Sequence, residues 1–95
     1  MLKVKISFLS LLTDITEVEE IIISIDDESV IRDVLEQLAT KFGSKFEEMI
    51  YKTSKDLSKY VLITINGRDI RQFNGLETKI QINDEIALIP AIAGG

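Results

Sequence analysis

The 95-residue chain has no cysteine, no histidine and no tryptophan, and it has a single proline. Without cysteine there is no disulfide, no thiolate nucleophile, no Cys-based zinc site and no prenylation site. Without histidine the chain lacks the side chain best suited to moving protons near neutral pH. It also lacks a GxGxxG run, a P-loop and any metal-ligand cluster. The carboxylate pairs Glu19-Glu20, Asp26-Asp27 and Glu47-Glu48 could be imagined as acid/base or cation sites. Adjacent acids of this kind ordinarily form solvated surface. The expectation is a protein that is acted upon.

Positive charge is also in short supply. Eleven Lys and Arg stand against sixteen Asp and Glu, for a net charge of −5, and the basic residues are scattered without aromatic neighbours. Nucleic acid is therefore not an expected partner, because binding it requires cations on phosphates. A basic protein partner, drawn in by electrostatic steering, suits the charge better. No apolar run approaches the length of a membrane span. The opening "MLKVKISFLS" alternates instead of forming the apolar core of a signal peptide. A cytoplasmic location without membrane contact is expected.

What the chain does have is isoleucine in quantity, and β-branched residues favour half-buried pleated surfaces. "LKVKISF" alternates with Leu2, Val4, Ile6 and Phe8 on one face, which predicts a strand. "LSLLTDITEVEE" loses that period and is expected to be a loop with a few apolar anchors. "IIISI" predicts a second strand with Ile21, Ile23 and Ile25 inward, and Ile22 outward or covered by the preceding loop. The period then changes. Ile31, Val34, Leu35, Leu38 and Phe42 fall on one helical stripe, with Ser29 as the expected N-cap and Gly43 as the stop.

"SKFEEMIYK" predicts a short second helix with Phe46, Met49 and Ile50 inward, and "TSKDLSK" a loop. "YVLITING" predicts a strand with Val61, Ile63 and Ile65 on one face and Tyr60, Leu62 and Thr64 on the other, closed by an Asn66-Gly67 turn. Asp69 and Ile70 suggest a short edge strand before Asn74-Gly75. After a turn at Asn83-Asp84 comes the last strand, with Ile86 and Leu88 inward and Ala87 and Ile89 outward. Pro90 ends the ladder because it has no amide hydrogen to donate. The expected fold is an α+β roll, with a sheet of about five strands and one main helix across one face. Residues 1–90 form the domain and 91–95 a flexible tail.

The tail, "AIAGG", is small and apolar. Glycine lacks Cβ, so Gly94 and Gly95 can pass a channel too narrow for other residues. From Pro90, five residues reach at most about 17 Å, enough to enter a neighbour's active site while the domain stays outside. A terminal carboxylate titrates near 3.5 and is a poor electrophile at neutral pH. It must first be activated, most simply as an acyl-adenylate made from ATP. A sulfur nucleophile then yields a thiocarboxylate, and a lysine amine an isopeptide. No residue of this chain is suited to either step, so an external ATP-dependent enzyme is required.

The strand "LKVKISF", the helix "SVIRDVLEQLATKF", the turn "VLITINGRDI" and above all "GLETKIQINDEIALIPAIAGG" resemble the small, sulfur-carrying subunit of molybdopterin synthase. That family has the ubiquitin-like β-grasp fold, and the likeness covers essentially the whole chain. The resemblance implies that an adenylating enzyme related to ubiquitin activators charges Gly95. Sulfur transfer then makes a thiocarboxylate, and the tail enters the large synthase subunit, where the molybdopterin (or tungsten-pterin) dithiolene is built. Gly95 would carry the sulfur and Gly94 would give slim passage. Leu62, Ala87, Ile89, Pro90, Ala91, Ile92 and Ala93 would meet the partner. ATP is used by the activating partner, and no cofactor or metal is expected on this chain.

Departures from the resemblance are Ala91 in place of a second proline, Asn83 in place of a glycine, and no arginine in the segment after the first strand. The alternative reading is a ubiquitin-like modifier joined through Gly95 to lysines. The thiamine-pathway sulfur carrier also ends in Gly-Gly but is usually shorter, without the segment from Gly43 to Lys59. A β-grasp interaction module with an inert tail is the third class.

Overall fold

The structure is a computed structural model that describes residues 1–51, 58 and 61–90. The alternation of the first segment folds as β1, Leu2–Phe8, with Val4, Ile6 and Phe8 buried and Lys3 exposed. β2, Glu20–Ile25, pairs antiparallel with it, burying Ile23 and Ile25 and leaving Ile22 exposed. Ile21 is only partly buried, at the margin of the core.

Between these strands the expected loop contains a helical turn, α1, Leu12–Thr16. Leu12 and Thr16, four residues apart, are both buried, and Ile15 packs beside them against the core. One turn ends where Glu17 takes a left-handed conformation (φ 62°) and its amide donates to the Thr13 carbonyl at 2.8 Å. A five-residue helix is too short to declare itself by periodicity.

The main helix, α2, runs Ile31–Phe42 and buries Ile31, Val34, Leu35 and Leu38. Its N-cap is Val30, not Ser29. The Val30 amide donates to the Asp33 carboxylate at 2.9 Å, the reach-back half of a capping box. Ser29 is buried and occupied elsewhere: its carbonyl accepts from Ile80 at 3.2 Å, and Ile31 donates to the Thr78 carbonyl at 3.0 Å. This bridge ties the helix start to the chain ahead of the last strand. Gly43 (φ 88°) stops α2, a conformation that suits a residue without Cβ, and opens α3, Ser44–Ile50. Phe46 and Ile50 of α3 are fully buried. The segment read as a loop at residues 53–59 lies, apart from Ser58, outside the described residues, as does Tyr60.

β3 is Val61–Ile65 and β4 is Arg68–Asp69, joined by Asn66-Gly67 with both residues at positive φ (51° and 86°). That is the two-residue hairpin turn whose twist matches its strands. Ile70 leaves the strand for a 3-10 helix, Ile70–Gln72, instead of extending the edge. Asp69 accepts there from the Arg71 amide at 2.8 Å. A second 3-10 turn, Gly75–Glu77, leads to β5, Glu85–Pro90.

The sheet order is β2-β1-β5-β3-β4, with β1 and β5 parallel and every other neighbour antiparallel. The buried residues of the sheet and of α2 and α3 form one core. This is the β-grasp roll that the resemblance implied. Among the described residues no helix is long and apolar enough to cross a membrane.

Candidate functional site

The site expected from the sequence is the tail, and β5 is the strand that precedes it. β5 lies at the centre of the sheet between β1 and β3. Its start is held by the "NDE" run. Asn83 sits at φ 68°, and the Asp84 carboxylate accepts from the Gln81 amide at 2.8 Å and from the Asn66 side chain at 3.0 Å. Asn66 closes the clamp: its side-chain carbonyl oxygen accepts from the Glu85 amide at 3.0 Å, and its backbone amide donates to the Glu85 carbonyl at 2.8 Å. The hairpin turn and the entry to β5 are thus one polar unit. Replacing Asp84 with Ala removes two of these bonds, and a loss of about 1–2 kcal/mol is expected in denaturant unfolding.

At the other end, Pro90 faces Val61 across the ladder and is buried on the core side. The Leu9 amide donates to the Leu88 carbonyl at 3.1 Å, so β5 is held almost to its last residue on the β1 side. Beyond it, Ala91, Ile92, Ala93, Gly94 and Gly95 lie outside the described residues.

On the face of the sheet away from α2, Leu62 and Ile89 are direct cross-strand partners. Ala87 lies one step back along β5, between Thr64 of β3 and Ser7 of β1. All three are half-buried. Exposed Leu9 adjoins them at the end of β1. The small Ala87 side chain floors a shallow depression of about 390 Å³ whose rim includes Ser7, Thr64 and Asn66. Thr64, expected to face outward, is on this face but almost fully buried between its neighbours. Ser7 and Leu9 belong to this surface but were not among the residues expected there, because only the register of β1, β5 and β3 brings them together.

Three described groups titrate away from their ordinary values. Burial, then the Glu36 carboxylate, raises the Tyr51 phenol. The hydrogen bond from the Arg71 side chain lowers Asp69, and the same pair raises Arg71. Each shift moves its group further from neutrality, the opposite of what proton transfer at neutral pH requires. The carboxylate pairs Glu19-Glu20, Asp26-Asp27 and Glu47-Glu48 are exposed. Among the described residues no group of three or more acids is placed to hold a metal ion.

Comparison with known proteins identifies relatives of the chain. The ThiS family is matched over residues 6–95. An Archaeoglobus fulgidus protein described as a candidate sulfur carrier is 36% identical over 73 residues, covering 77% of this chain and 83% of its own. The solution structure of small archaeal modifier protein 1 from Methanosarcina acetivorans superposes with a TM-score of 0.84 at 29% identity, covering 100% of this chain and 98% of that one. A Pyrococcus furiosus structure, described as a candidate molybdopterin converting factor subunit 1, shares the fold with a TM-score of 0.79 at 22% identity, covering 97% of this chain and 100% of that one. With the β-grasp sheet in place and the match running across nearly its whole length, the chain belongs to the ThiS family, a family of small ubiquitin-like sulfur carriers.

Proposed function

We propose that this protein carries sulfur as a thiocarboxylate on Gly95 and donates it to molybdopterin, or tungsten-pterin, cofactor synthesis. The observation that carries the reading is the family match over residues 6–95, a range that includes Gly94 and Gly95. A partner enzyme related to ubiquitin activators supplies the chemistry. The Gly95 carboxylate attacks the α-phosphate of ATP, pyrophosphate leaves, and an acyl-adenylate forms. A sulfur nucleophile then adds to the glycyl carbonyl and AMP leaves. The domain's part is to hold Pro90 at the sheet's end and to present a docking face, so that the tail is threaded into one active site and then another. The large subunit of molybdopterin synthase is the acceptor in this reading. ATP is a substrate of the activating partner.

A second reading is favoured by the full-length similarity to the Methanosarcina acetivorans modifier protein. The same adenylate meets a lysine amine and gives an isopeptide. Mass spectrometry of the protein recovered from its own cells separates the two. A thiocarboxylate at Gly95 supports the carrier, Gly95 joined to lysines supports the modifier, and a bare carboxylate under every growth condition contradicts both.

The docking face has its own test. Leu62→Asp places a charge where Leu62 meets Ile89, on a half-buried surface that contributes nothing to the core. Binding to the activating enzyme is expected to weaken by about tenfold or more, with the circular dichroism spectrum unchanged. Unaltered binding by calorimetry would remove this face from the interaction.

A further inference from the structure

The two edges of the sheet are built differently. β4 has two residues, both charged, and a short charged edge resists further pairing. β2 has six, "EIIISI", with no proline or lysine, and among the described residues it pairs only with β1. Its free groups can be identified. The Phe8 amide donates to the Glu19 carbonyl at 2.8 Å, which makes that position a hydrogen-bonded pair of the β1–β2 ladder. Bonded and non-bonded pairs alternate in an antiparallel ladder. With Ile6 opposite Ile21, Val4 opposite Ile23 and Leu2 opposite Ile25, those pairs are also bonded. The amides and carbonyls of Glu20, Ile22 and Ser24 therefore point away from the sheet.

We propose that a second copy of this chain occupies this edge, pairing β2 with β2 antiparallel about a two-fold axis at Ile22. In that register Ile22 meets Ile22 and Glu20 meets Ser24 in both directions. All three outward-facing residues then sit in bonded pairs. Moving the axis to Ile21 or Ile23 leaves one of the three without a bonded partner, so the Ile22 register is the best satisfied. It also suits the side chains. Ile22, 68% exposed, is covered by its own copy, and partly buried Ile21 meets the partner's Ile23 on the core side.

Charge agrees with the same register. Lys3 lies beside Ser24 on β1 and makes no ion pair among the described residues. The partner's Glu20 arrives on the other side of Ser24, within reach of Lys3. The like-charged alternative, Glu20 against Glu20, is avoided. Leu62, Ala87 and Ile89 lie on β3 and β5, separated from β2 by β1, so both copies keep their docking faces open. One strand pair makes a small interface, under ~1,200 Å², and association of that size is reversible.

Sedimentation equilibrium of the full chain from about 10 μM to 1 mM tests this. The average mass is expected to rise with concentration from that of one chain toward two. Ile22→Lys puts two ammonium groups on the axis, and Ile22→Pro removes only an outward-pointing donor. Each variant is expected to stay a single chain throughout with an unchanged circular dichroism spectrum; if the proline variant fails to fold, the lysine variant alone decides. Amide exchange at Glu20, Ile22 and Ser24 should slow at least tenfold with concentration in the parent and not in Ile22→Lys. The proposal is overturned by a single-chain mass at about 1 mM, by association that persists in Ile22→Lys, or by protection of these amides that appears only when a different protein is added.

Discussion

Extending the chain by one alanine after Gly95 is expected to reduce activation of the protein by more than about 100-fold while leaving its unfolding curve unchanged. One residue moves the carboxylate roughly 3.5 Å along an extended tail. Displacement of a reacting group by even about 1 Å can cost 10²-fold when an active site fixes its position. The added methyl group also occupies a passage proposed to admit only glycine. The described core ends at Pro90, so a longer tail takes nothing away from it. The measurement is pyrophosphate release with the cognate activating enzyme, compared with thermal unfolding of the same samples. Equal rates for parent and extended chain would detach the tail from the mechanism.

The second large effect falls on the core. Phe46 has no exposed surface and meets Phe8 edge-on at 6.3 Å and Phe42 at 5.7 Å, while Phe8 and Phe42 stand edge-to-face at 5.5 Å. This cluster joins α2, α3 and the end of β1, at the end of the sheet where β5 finishes. Phe46→Ala deletes the ring and leaves a cavity, at a cost of about 3–5 kcal/mol. For a domain of this size that lowers the midpoint of thermal unfolding by more than about 10 °C. Phe73, 45% exposed, provides the control: Phe73→Ala should stay within about 0.5 kcal/mol of the parent. Comparable losses at the two positions would mean that the aromatic cluster is not what holds α3.

How far these features could be read from sequence depends on whether they are local. β1, β2, β3 and β5 declared themselves because alternation is written residue by residue, and the stripe from Ile31 to Phe42 did the same for α2. Asn66-Gly67 and Asn83 announced their turns by tolerating positive φ. α1 stayed hidden because one turn offers a single i, i+4 pair, Leu12 and Thr16, inside an acidic stretch. Ser29 had the chemistry of a cap, but its carbonyl is taken by Ile80, far along the chain, and Val30 took the position instead. Thr64 is buried by neighbours that only the register supplies.

The same division runs through the site. The chemistry proposed for the tail rests on composition, since a chain without cysteine or histidine leaves a bare glycyl carbonyl as its best reactive group. The surface proposed for docking was legible only in part. That Leu62, Ala87 and Ile89 face outward follows from alternation, but that Leu62 lies against Ile89 follows from pairing between strands more than twenty residues apart. The "NDE" run was read as a family mark. In the fold it is the clamp that sets where β5 begins.

In the proposed function, Gly95 is an acyl group charged by another enzyme and converted to a sulfur donor. Intact-mass analysis after incubation with ATP, the cognate activating enzyme and a sulfur donor tests it most directly. The expected result is replacement of one oxygen by sulfur, confined to Gly95 and dependent on ATP. An unchanged mass in the complete reaction, with the activating enzyme shown to be competent on another carrier, would contradict it.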